Sequence, residues 1–157
     1  MKIGLVLPAV PAYSETFFRS KISGLVAHGH EVVLFVNSPN HVTDYCGARI
    51  VSSFPTQGNR LVLLAKALYT LLVLFLKHPQ KVRKFVKLER QDGTKGLMLL
   101  HQLLINSSLL ASHLDWLHFG FGTMALGREN VADAIGAQMA VSFRGFDYYV
   151  YPVKHAN

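Results

Sequence analysis

The chain has 157 residues, half of them hydrophobic, with a net charge of +7 and one cysteine, Cys46. That length suits a single domain able to bury most of its apolar surface, and the composition excludes a disordered chain or a fibre. A lone cysteine excludes an internal disulfide framework and gives no basis for a zinc site, which fits a reducing compartment.

The first 37 residues read as strand, loop, helix, strand. Ile3 to Leu7 is an apolar run of strand length, and Pro8 and Pro11 prevent its continuation as a helix. Ser14 is placed to cap the following helix, with Glu15 in a first turn that favours negative charge. Phe18, Ile22, Leu25 and Val26 recur at helical spacing, Gly29 ends the helix, and Glu31 to Val36 is a β-branched run. Two strands flanking one helix predict a right-handed unit with parallel strands, which binds ligands at the carboxyl ends of its strands. The loop Ala9 to Ser14 is therefore the first candidate site. The start, Met1-Lys2-Ile3, has too little apolar sequence before this unit for a signal peptide, so the cytoplasm is the expected location.

Ser38 to Gly47 is polar and reads as a surface loop, and Arg49 to Ser53 as a third strand. Leu61 to Leu76 is the most apolar segment, 16 residues relieved mainly by Lys66, Tyr69 and Thr70. A membrane span needs about 20 apolar residues, so this segment is expected to be a core helix, or else a helix partly sunk in a bilayer surface. Pro79 opens a basic amphipathic helix to about Glu89, carrying Lys81, Arg83, Lys84 and Lys87. From Arg60 to Lys95, nine Lys or Arg residues face two acids, so this stretch holds a charge of +7 and the remainder sums to zero. An anionic membrane surface is the first reading of these charges and a solvated helix face the second. Nucleic acid is not an expected partner, because no binding motif and no interleaved aromatics accompany the charges.

Leu97 to about His113 reads as another apolar helix, Asp115 to Phe121 as a strand, Gly122 to Ile135 as a helix and Gln138 to Phe143 as a further strand. In that last helix Met124, Leu126, Val131 and Ile135 are expected to face inward. The alternation predicts an α/β fold, a Rossmann-like parallel sheet with helices on both faces. Three polar clusters then fall at carboxyl ends of strands: Tyr13-Ser14-Glu15-Thr16, His118 to Gly122, and Arg144 to Asp147. Such ends share one edge of an open parallel sheet, so these clusters can converge. Each also has a plainer explanation. Ser14 can be only a cap, His118 a hydrogen-bonded core residue, and Arg144 with Asp147 a local ion pair around Gly145. Gly120 and Gly122 permit close backbone approach. Arg19, Arg128, Glu129 and Asp133 read as solvated helix positions. No nucleophile paired with a base, no metal-ligand spacing and no glycine-rich phosphate loop is visible.

P-A-Y-S-E-T-F-F at Pro11 to Phe18 resembles the P-x-x-S-E-T-F motif that opens many bacterial glycosyltransferases of the large retaining family 4, and L-x-x-x-G-H-E-V at Leu25 to Val32 continues the likeness. D-W-L-H-F-G-F-G at Asp115 to Gly122 is similar to the family's D-x-I-H-A-H-F-G strand, and S-F-R-G-F-D at Ser142 to Asp147 to its T-x-H-G-x-D turn. Enzymes of the exopolysaccharide or colanic-acid type are the nearest in pattern. The resemblance implies the amino-terminal half of a GT-B fold, residues 1–157 forming one acceptor-side domain of a truncated chain whose donor-binding domain is absent. It implies transfer from a nucleotide sugar to a lipid-linked saccharide in surface polysaccharide synthesis, at the inner face of the cell membrane, with the fragment alone inactive. It implies no cofactor and no metal, the nucleotide sugar being a substrate held mainly by the other domain. His118 takes the catalytic position. Tyr13, Ser14, Glu15, Thr16, Gly120, Gly122, Arg144, Gly145 and Asp147 would line the sugar cleft, and Lys81, Arg83, Lys84 and Lys87 would face the membrane. Only His118 and Asp147 match residue for residue, because the family's second strand histidine is Gly120 here and its turn histidine is Arg144. A guanidinium cannot act as a base, but it holds phosphate or carboxylate by two bonds, which favours an anionic acceptor. The rival expectation is a non-catalytic binding module of the same fold, for a membrane or protein partner; an epimerase of the two-domain fold suits S-E-T-F less well.

Overall fold

The computed structural model describes residues 1–12, 16–37 and 43–154. Six strands form one sheet: β1 (Lys2–Leu7), β2 (Glu31–Val36), β3 (Asp44–Tyr45), β4 (Ala48–Ser52), β5 (Trp116–Phe119) and β6 (Gln138–Val141). Their order is β3-β4-β2-β1-β5-β6, and only the β3–β4 pair is antiparallel. From β1 the chain builds outward through β2 and β4, then returns to place β5 on the other side of β1. The order therefore reverses between β1 and β5, the point where doubly wound sheets open a crevice at their carboxyl edge. The fold is α/β and Rossmann-like.

Helix α1 (Thr16–Ala27) covers one face of the sheet. Its Phe18 and Ile22 are buried with Leu5, Leu7, Val32, Leu34 and Val36. Gly29, at φ 77°, closes it as sequence predicts: Gly29 N–H donates to the Val26 carbonyl and His30 N–H to that of Leu25. The opposite face takes Val6, Val33, Phe35, Leu117 and Phe119 and is covered by α2 (Arg60–Lys77), α3 (Pro79–Gln91), α4 (Gly96–Ile105), α5 (Ser107–Leu110) and α6 (Val131–Ile135). Burial of both faces explains why β1 and β2 are continuous apolar runs instead of alternating ones.

Several elements depart from the pattern read in sequence. The polar stretch before β4 contains β3, joined to β4 by a two-residue turn with Cys46 and Gly47 at φ 54° and 81°. The apolar run Leu97 to His113 is broken at Asn106 into α4 and α5. The expected helix Gly122 to Ile135 is a 3-10 turn, Gly122–Met124, followed by α6, because Gly127 adopts a left-handed φ of 69° between them. Leu126 faces solvent instead of the core.

The largest correction concerns α2. Asn59 caps it through its side chain, and Pro79 starts α3 after a 108° bend at His78. Yet α2 is not a core helix, since Leu74 alone is fully buried, with Leu63, Ala67, Thr70 and Leu71 partly covered on the same side. Leu61, Leu64, Leu68, Leu72, Phe75 and Leu76 point outward, Leu68 being 62% and Leu76 71% exposed. Helical periodicity cannot distinguish two apolar stripes on one helix from full burial. Among the described residues no single helix is long and apolar enough to cross a membrane.

Candidate functional site

The carboxyl edge beside the β1/β5 reversal is built by three segments: the first turn and a half of α1, the residues after β5 and the loop after β6. Gly120 follows β5 and its N–H donates to the Val6 carbonyl, extending the ladder by one step. A Cβ at Gly120 would lie 2.2 Å from a Leu7 methyl and 3.0 Å from the Phe18 ring, and one at Gly122 would lie 2.9 Å from Phe143. Both glycines therefore admit close approach, but the groups that approach are the chain's own side chains.

Arg144 lies at the centre of this edge. Its guanidinium sits 4.4 Å from the Phe18 ring centroid, 4.6 Å from Phe17 and 5.2 Å from Phe121, and its Nε–H donates to the Gly120 carbonyl at 3.3 Å. Three ring faces and one carbonyl hold a permanent cation without neutralising it. The predicted ion pair with Asp147 is absent among the described residues. Asp147 instead accepts the backbone N–H groups of Arg144 at 2.9 Å and Thr123 at 3.2 Å, tying the β6 loop to the turn after β5. Burial alone would raise its carboxyl, but these backbone donors, with Gly122, hold it below the ordinary carboxylate range. The anion is spent on the backbone, so the guanidinium stays available.

His118 lies on the α1 side of β5. Its Nδ1 is 2.6 Å from the Lys21 ammonium and its Nε2 2.8 Å from the Ser142 hydroxyl. Burial, then the charges of Lys21 and Arg144, push its pKa down from 6.5 to about 4, so the ring is neutral near pH 7. The same ammonium is also 3.4 Å from Nε2, so the direction of the His118–Ser142 bond follows whichever ring nitrogen carries the single proton. With the proton on Nε2, Ser142 accepts from His118 and has its own hydroxyl hydrogen to offer outward. Burial and then Arg144 lower Lys21 in turn.

The edge thus brings together His118, Gly120, Gly122, Arg144 and Asp147, with Gly145 exposed between the last two. Thr16 starts α1 and is exposed, whereas Tyr13, Ser14 and Glu15 lie outside the described residues. Sequence reasoning missed Lys21, Phe17 and Phe121. Lys21 is one helical turn beyond Phe18, so its position on the packed side of α1 was readable; Arg19 is exposed, as a solvated helix position should be. Arg128 was missed in another sense, for it is buried, not solvated. Among the described residues no three metal-binding side chains converge.

The basic helix α3 divides. Lys81 donates to the Ser112 carbonyl, and Lys84 reaches the Asp133 carboxylate at 2.9 Å and its carbonyl at 2.6 Å. Arg83 and Lys87 are exposed and lie beside Arg90. Two of the four predicted surface cations therefore serve the protein's own packing. Compared with models of protein families, with curated proteins and with solved structures, the chain has no significant match.

Proposed function

We propose that this chain is the acceptor-side domain of a retaining family 4 glycosyltransferase of GT-B architecture, acting on an anionic, lipid-linked saccharide. One observation carries the reading: Lys21, neutral His118, Ser142 and Arg144 meet at the sheet's reversal point, where cations and outward hydrogen-bond donors stand together and the nearest carboxylate, Asp147, is tied to backbone N–H groups. Such a constellation holds a phosphate and orients sugar hydroxyls. The motifs around Ser14, His118 and Asp147 support the same class. In this reading the nucleotide-sugar donor is bound by a second domain across the cleft, so the isolated chain binds acceptor without transferring sugar.

The exposed leucines of α2 and the adjoining Arg83, Lys87 and Arg90 support placement on the inner face of an anionic membrane, where such an acceptor resides. They equally favour the second reading, a docking module without catalysis. Affinity for a polyprenyl-pyrophosphate-linked saccharide in nanodiscs separates the two. Arg144→Gln is expected to weaken binding about 10- to 100-fold, the loss of a charged hydrogen-bond pair. Equal binding by both proteins, or equal binding to discs without the saccharide, favours the docking module.

A further inference from the structure

Arg128 is the most deeply buried cation among the described residues, at 8% exposure, and it has no acidic partner there. It follows the left-handed Gly127 in the loop that replaces the first half of the expected helix. One Nη donates to the Met124 carbonyl at 3.1 Å and the other to the Asn37 side-chain oxygen at 3.3 Å. Its Nε–H is buried with no partner among the described residues. A guanidinium has five N–H donors, so three are left over. Burying a charge without a counter-charge costs more than these two neutral acceptors return, and burial pulls the Arg128 pKa below its ordinary value.

The guanidinium borders a cavity of about 190 Å³ lined by Asn37, Ser53, Phe54, Thr56, Ile105 and Arg128. Asn37 and Ser53 directly follow β2 and β4, so the cavity opens at the carboxyl edge of the sheet, while Ile105 and Arg128 belong to the side opposite α1. It is therefore separate from the Lys21–His118–Arg144 cluster, which lies under α1. Ser53 Oγ donates to the Asn37 side-chain oxygen, the same atom that accepts from Arg128. With its oxygen doubly engaged, Asn37 has only its NH₂ group to offer a ligand. Thr56 adds a hydroxyl. Among the described residues no carboxylate lines the cavity.

We propose that this cavity binds a phosphate group of a soluble ligand, held by Arg128, Asn37 and Thr56. The spare donors outnumber what the two oxygens of a carboxylate can accept and suit the three free oxygens of a phosphate. A bilayer headgroup is the other source of the same chemistry, but a guanidinium this deeply buried is out of reach of a lipid in the membrane plane. The site stands independently of the glycosyltransferase reading.

Thermal unfolding of the whole chain in inorganic phosphate, against chloride at equal ionic strength, tests it. At phosphate tenfold above its dissociation constant the transition rises by about 3–6 °C. Measured in an Arg144→Gln background, which removes the phosphate-holding cation of the other cluster, the rise persists, disappears on adding Arg128→Gln and shrinks on adding Thr56→Val. Should Arg128→Gln not fold, Thr56→Val and Asn37→Ala carry the comparison, read by phosphorus NMR line width. In the Arg144→Gln background, no rise over chloride, or a rise that survives the added Arg128→Gln, overturns the site. Binding to phosphatidic acid vesicles is expected to be unchanged by Arg128→Gln; a loss there overturns the soluble ligand in favour of a headgroup.

Discussion

Around Arg144 polar groups are set in place by specific neighbours, whereas along the outer side of α2 six large apolar side chains face solvent. The first region is fixed by specific contacts: three aromatic rings on a guanidinium, two backbone N–H groups on Asp147, an ammonium and a hydroxyl on the two nitrogens of His118. The second has length, apolarity and little else. Its inner side holds Leu74 against the sheet, and its outer side contributes nothing to the fold. Preorganised polar groups recognise a particular ligand, whereas an exposed apolar stripe beside cations recognises a kind of surface. The two regions therefore answer to different perturbations.

The contrast is sharpest within α2 itself. Leu74→Ala removes a buried side chain and is expected to cost about 2–5 kcal/mol in urea unfolding. At the edge, Gly120→Ala forces a methyl group against Leu7 and Phe18, and about 1–3 kcal/mol is the expected loss by the same measurement.

His118 gives a pH signature instead of a fixed cost. Above pH 6.5 the ring is neutral in folded and unfolded chains alike. As pH falls from 6.5 toward about 4, the unfolded chain takes up a proton that the native ring refuses, so stability declines through that window. His118→Asn should flatten this part of the stability profile relative to the parent; parallel curves for the two proteins would show that the ring titrates normally. The smallest effect on folding belongs to the paired change Leu68→Ser with Leu72→Ser, each within about 0.5 kcal/mol. The same pair is expected to reduce association with anionic vesicles at least about tenfold, measured by cosedimentation. Undiminished association would remove α2 from any membrane role.

Legibility in sequence followed the physics of each element. The strand-loop-helix-strand opening, the parallel sheet and the Gly29 stop depend on local period and glycine geometry, and they were readable. The edge cluster was half readable. Strand order put His118 and Arg144 on one edge, but Arg144's aromatic cage and Asp147's grip on backbone depend on side-chain directions that spacing does not set. Arg128 was misjudged because charge alone suggested solvent, and Lys21 went unread; tertiary packing buried the first and turned the second toward a histidine. The helix expected over Gly122 to Ile135 failed for one backbone reason, the left-handed Gly127. On α2, composition announced burial where the fold buried only one side.

Backbone amide spectra of the chain, recorded as a polyprenyl-pyrophosphate-linked saccharide is added in nanodiscs, test the central claim most directly. The proposed acceptor site predicts shifts concentrated at Lys21, His118, Gly120, Thr123, Ser142 and Arg144 that vanish with saccharide-free discs. Shifts confined to α2 and α3, and identical with and without the saccharide, would contradict it.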